Sequence, residues 1–182
     1  HDMAMIATTA TLRSSIPFLN IFDGFRTSHE LNEVAIIPDS IITEMIDVND
    51  VARHRYRSLN PENPNIRGTA QNPDVFFQSR EACNKYHWNV PEIVEETMQK
   101  FEQLTGRAYK LFEYYGHAEA ENIIIIMGSG SGAVQETVDY LNRKGEKTGY
   151  LHIHLFRPFF TRRLQAVKHT ALKLHDKIVN SN

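Results

Sequence analysis

The sequence predicts an α/β fold, and three patterns carry that expectation. The apolar run 123–127 meets the glycine-rich turn 128–132, a helical segment and then an alternating strand at 150–156. That is the strand–helix–strand order of a parallel crossover. Two short apolar runs, 16–22 and 33–37, lie near the start and read as strands. Between the two regions, residues 91–104 read as a helix, with Pro91 at the start, acids in the first turn and Gly106 just past the end.

Taken in order, residues 2–12 are rich in Ala, Met and Thr and suit a helix. The run 16–22 ends at Asp23-Gly24, which predicts a buried strand with a turn at its carboxyl end. After the strand at 33–37, Pro38 opens a helix with Ser40 as candidate N-cap. A further helix is expected over 48–58. Residues 60–73 carry Pro61, Pro64, Pro73, Gly68 and repeated asparagines. No regular helix or central strand tolerates that composition, so a long loop is expected, and long ordered loops usually serve a site or an interface. Residues 109–115 read as an aromatic strand. The polar break 116–122 is the expected domain boundary. Residues 123–127 then predict a strand buried on both faces, and 133–144 a helix stopped by Gly145. Leu164, Val167, Ala171, Leu174 and Ile178 mark one face of a last amphipathic helix.

The chain has 182 residues, 41% hydrophobic and 23% charged, which suits one or two packed domains. Its net charge of -2 gives no reason to expect nucleic acid or an anionic membrane as partner. Cys83 is the single cysteine. It excludes an intrachain disulfide, a four-thiolate iron–sulfur cluster and a cysteine-pair zinc site within this chain, and it suits a reducing, cytoplasmic setting. The apolar runs are far shorter than the roughly 20 residues of a membrane span. No signal peptide is visible, and the first residue, His1, suggests a piece of something longer.

Four features carry candidate chemistry. The turn GSGSGA (128–133) partly matches a dinucleotide fingerprint, in which glycines let the backbone approach a pyrophosphate. No acid follows about 20 residues on at a strand end, as that site requires, so a tight packing turn is the favoured reading. His152 and His154 share one face of a strand, where two imidazoles suit a metal, but the sequence places no third ligand. A half-exposed strand face is the plainer account. Asp23, Arg26, His29 and Glu30 crowd one loop after an expected strand, the position where α/β sheets bind ligands. The loop suits acid–base or anion chemistry, or a salt-bridged contact with another domain. The basic tail with Arg162, Arg163, Lys168, Lys173 and Lys177 reads as a solvated helix face.

The segments FDGFRTSHE (22–30), NPENPNIRGTAQNPDVFFQSREA (60–82), LTGRAYKLFEYYG (104–116) and the block 123–159 occur in this order. Together they resemble pyruvate:ferredoxin (flavodoxin) oxidoreductase, over about residues 1–159. The resemblance implies that residues 1–116 are the C-terminal part of a thiamine-diphosphate-binding-type domain. Residues 117–182 then begin an incomplete parallel-sheet domain like the C-terminal domain of transketolase, with a divergent tail from about 160. It implies a much longer parent, usually a homodimer. That parent decarboxylates pyruvate on thiamine diphosphate and magnesium, passes electrons through iron–sulfur clusters to ferredoxin or flavodoxin, and delivers acetyl to coenzyme A.

The same resemblance places the family's substrate, thiamine, magnesium and cluster ligands outside this chain, so no catalytic, cofactor or metal residue is expected here. Asp23, Arg26, His29, Arg67 and Gln71 fall in signature loops and are expected to make domain or subunit contacts. The expected function is thus a piece of the oxidoreductase that is inactive alone. A non-catalytic interaction module, a truncated gene product and a nucleotide-binding protein are the alternatives.

Overall fold

Helix α1 (Asp2–Ser14) starts the chain, as its Ala- and Met-rich sequence suggests. In the computed structural model, which describes residues 1–25, 29, 31, 33–64 and 70–159, it is followed by α2 (Asp39–Met45), α3 (Val48–Arg57) and α4 (Pro73–Thr105). Asp47 caps α3, its carboxylate accepting the Asn49 N–H at 2.8 Å. Pro38, not Ser40, occupies the N-cap position of α2, and it has no side-chain cap bond. The described residues of 60–72 are irregular, with turns and one isolated bridge between Asn60 and Asn63.

Helix α4 corrects one expectation. It begins at Pro73 and runs 33 residues straight through Pro91. Pro91 lacks the N–H that would donate to the His87 carbonyl, so a helix boundary was the natural reading there. Burial begins beside that proline. Val90, Val94, Thr97, Met98 and Phe101 are buried, at the spacing of one helix face. They meet Met5, Ile6, Thr9 and Ala10 of α1, with Met45 of α2 and Ile37 completing the core. Arg13 of α1 donates to Thr97 at 3.1 Å and pairs with Glu96. Arg107, just past α4, holds Asp2 with two bonds of 2.6 and 3.0 Å. The helix ends at Gly106, whose N–H closes on the Glu102 carbonyl at 2.7 Å.

The apolar runs 16–22 and 33–37 are not strands. Both are irregular, and Leu19, Ile21, Phe22, Val34 and Ile36 are exposed. Apolar content alone does not make a strand. The backbone needs a neighbour to pair with, and none is supplied to these residues among those described.

Strands β1 (Phe112–Gly116), β2 (Asn122–Ile126) and β3 (Thr148–Ile153), with helix α5 (Ser131–Arg143), form a second packing unit. The sheet order is β1-β3-β2. β2 and β3 are parallel, as the crossover pattern requires, while β1 is antiparallel to β3 with Glu113 opposite His152. Packing divides the chain into His1–Asn20 with Val34–Ala108, and Ile21–Glu33 with the residues from Tyr109. The packing break falls before β1, because β1 pairs with β3.

A second correction concerns β2. The run 123–127 is not covered on both faces: β2 is an edge strand among the described residues, and Ile125 is 53% exposed. At Gly149 of β3, a Cβ would lie 2.1 Å from the Tyr114 hydroxyl oxygen, so only glycine lets that ring cross the strand. The expected last amphipathic helix and basic tail lie outside the described residues. Among those described, no helix is long and apolar enough to cross a membrane.

Candidate functional site

The residues that suggested chemistry concentrate in the sheet unit. β2 delivers the chain into the turn 128–130, and Ser131 starts α5. Gly128 has φ +78°, the left-handed region that β-carbon-bearing residues avoid. At Gly130 a Cβ would lie 3.1 Å from Ile126 Cδ1, whereas Gly132 faces open space. Two of the three glycines are thus explained by the turn itself.

Asp23 closes on this turn. The Ser129 hydroxyl donates to the Asp23 carboxylate at 2.5 Å, and the same oxygen lies 3.7 Å from where a Gly128 Cβ would be. A carboxylate at the head of α5 suits the positive end of the helix dipole. It also puts negative charge where a pyrophosphate would bind. The sequence separation is 106 residues, so nothing local announces the contact.

His29 turns back on its own loop. Its Nδ1 meets the Phe25 carbonyl, and its ring lies 4.9 Å from the Phe25 ring. Phe25 has φ +56° and an exposed side chain. Gln71 is exposed on the irregular segment before α4, in the helical packing unit. Arg26, Glu30 and Arg67 lie outside the described residues.

His152 and His154 gain a neighbour that sequence reading missed. Strand pairing sets Glu113 against His152, and the three side chains offer ligand atoms within 4.8 Å of one another. Burial, then the charge of His154, hold the His152 pKa down at about 4, from the ordinary 6.5. Tyr150, on the same sheet face, is raised by burial first and then by the Glu113 charge. Only the register of β1 on β3 brings Glu113 here, and no short-range signal encodes that register.

The groups expected in a thiamine enzyme do not fit these residues. An iron–sulfur cluster needs several thiolates, and Cys83 is the lone cysteine. The glycine turn that would suit a diphosphate already faces the Asp23 carboxylate.

Two family models match: pyruvate flavodoxin/ferredoxin oxidoreductase, thiamine diphosphate-binding, over residues 1–99, and pyruvate:ferredoxin oxidoreductase core domain II over residues 120–177. The second match runs past Phe159. A pyruvate-flavodoxin oxidoreductase of Trichormus variabilis is 50% identical over 173 residues, covering 95% of this chain and 14% of its own. A probable pyruvate-flavodoxin oxidoreductase of Escherichia coli is 49% identical over 90% of this chain and 14% of its own. The pyruvate:ferredoxin oxidoreductase of Moorella thermoacetica is 48% identical over 87% and 14% respectively. A solved 2-oxoglutarate:ferredoxin oxidoreductase of Magnetococcus marinus aligns over 61% of this chain and 19% of its own at 20% identity, with a TM-score of 0.35, too slight a likeness to bear on this fold. The chain spans about 14% of the length of these curated relatives. With more than half of its residues matched by the first model alone, the chain belongs to the pyruvate flavodoxin/ferredoxin oxidoreductase family.

Proposed function

We propose that this chain is a contact-bearing segment of a pyruvate:ferredoxin or pyruvate:flavodoxin oxidoreductase and has no turnover by itself. One observation carries the reading: about nine-tenths of the chain matches the relatives at half identity while covering about 14% of them. On this reading residues 1–116 are the end of the thiamine-type domain and 117–182 the start of the transketolase-C-like one. The parent enzyme oxidatively decarboxylates pyruvate to acetyl-CoA in the cytoplasm, as a homodimer. Thiamine diphosphate, magnesium and iron–sulfur clusters are held by its other segments, and ferredoxin or flavodoxin takes the electrons.

The physical features agree with a contact role. Asp23 pins the signature loop to the head of α5, leaving Phe22 and Phe25 exposed. Asp23 and His29 thereby act as positioning residues rather than chemical ones. Purified chain given pyruvate, coenzyme A, thiamine diphosphate, magnesium and an electron acceptor forms no acetyl-CoA on this account. Sustained acetyl-CoA formation would overturn it.

A free-standing interaction module is the second reading, favoured by the open edge of β2. It requires the chain to self-associate or bind a partner outside the oxidoreductase. Sedimentation showing only monomer across a wide concentration range counts against the self-association form.

A further inference from the structure

Glu113 lies on β1 and His152 opposite it on β3. His154 is two residues further along the same chain, which returns it to the His152 face. Its backbone N–H donates to the Leu111 carbonyl at 3.0 Å, so the ladder continues beyond the regular strand and fixes this register. The two imidazole centroids are 4.1 Å apart. A carboxylate oxygen and one nitrogen from each ring lie within 4.8 Å of one another.

The orientation of His154 is also set. Its Nδ1 is 2.7 Å from the Lys110 carbonyl. A carbonyl can only accept, so Nδ1 donates to it and Nε2 is the nitrogen left for a metal. The Tyr109 ring packs edge-on against this imidazole at 5.7 Å. A backbone carbonyl holding the far nitrogen is the outer-shell arrangement that orients metal-bound histidines. All three residues are half-buried, so desolvation is partial and an ion can still reach them.

We propose that Glu113, His152 and His154 form a site for a zinc-class divalent metal ion. The ion would bridge β1 and β3 and leave a fourth position to water. Two imidazoles and a carboxylate are a donor set that zinc takes, at about 2.0–2.2 Å from each atom. Tetrahedral ligands at that range are roughly 3.3 Å apart. The 4.8 Å spread closes to this by side-chain rotation, with no change in the strand register.

The test uses the whole chain, stripped with chelator and titrated with zinc and with cobalt(II). One ion binds per chain with Kd on the order of 1 µM or tighter, and cobalt gives the intense visible bands of a four-coordinate site. The double variant His152→Gln/His154→Gln weakens this binding at least ~100-fold, and Glu113→Gln at least ~10-fold, since outer-shell partners alone are worth 10–100-fold. His54→Gln, in α3, leaves it unchanged. Absence of one-to-one binding in the parent chain overturns the proposal, as does full binding in the double variant. If that variant fails to fold, X-ray absorption of the zinc-loaded parent chain decides: two imidazoles plus a carboxylate oxygen support the site, and any other ligand set rejects it.

Discussion

The two halves of α4 differ sharply in what covers them. From Val90 to Phe101 its apolar side chains are buried against α1. From Val75 to Trp88, Val75, Phe76, Phe77, Tyr86 and Trp88 are all exposed, Phe77 and Trp88 each by 71%. The sequence is apolar on both sides of Pro91, so side-chain type is not what separates them. The partner is: among the described residues α1 covers one half and nothing covers the other. Contiguous exposed apolar patches mark interaction surfaces in proteins generally. Among the described residues, Leu19, Ile21, Phe22, Val34 and Ile36 and the open edge of β2 repeat the pattern. The matched relatives are about seven times longer than this chain.

The contrast is sharpened most by emptying the covered half. Phe101 is fully buried, so Phe101→Ala should cost the chain about 3–5 kcal/mol. Denaturant titration reads this as a large fall in midpoint. A shift under about 1 kcal/mol would mean that the α1–α4 core is not formed as described.

Gly149→Ala probes the sheet unit in the same way. Its methyl would collide with the Tyr114 hydroxyl, and overpacking costs about 1–3 kcal/mol. The double variant Gly149→Ala/Tyr114→Phe should recover part of the loss. No recovery would place the strain elsewhere.

Acid should separate the units next. The His152 pKa is about 4 in the folded chain, below the ordinary 6.5. The folded state then resists a proton that the unfolded state takes up. Stability from this group is present above pH 6.5 and is lost as pH falls toward 4. Water screening at a half-exposed ring limits the loss to about 1 kcal/mol. In chelator, thermal unfolding of the parent chain should show this drop and His152→Gln should not. Equal slopes in both would break the assignment.

The smallest effect belongs to the uncovered half. Phe77→Ser should change the stability of this chain by less than about 0.5 kcal/mol, as exposed substitutions do. It should also lower binding of a hydrophobic dye. A loss comparable to that of Phe101→Ala would erase the contrast.

Local signals made part of this structure legible in advance. The strand–turn–helix–strand order around Gly128 is encoded by residues adjacent in sequence, and the structure repeats it within two residues except at the last strand's end, which is Ile153 and not Phe156. Gly106 likewise marks the end of α4. Features that depend on distant partners were not legible. The run 16–22 has the composition of a strand but lacks a pairing neighbour. Pro91 reads as a helix start, yet the helix already runs from Pro73. Asp23 meets Ser129, and Glu113 meets His152, only through packing. The candidate loop residues were visible, but their arrangement was not.

The chain's one tryptophan lies in the uncovered half, which makes the contrast directly measurable. Trp88 fluorescence should be recorded with acrylamide quenching, at concentrations where light scattering shows a monomer. The account predicts emission close to that of tryptophan in water and near-complete access to quencher. Blue-shifted emission with protection from quencher would show that this chain covers α4 by itself, and would contradict the claim that it carries a contact surface for a larger enzyme.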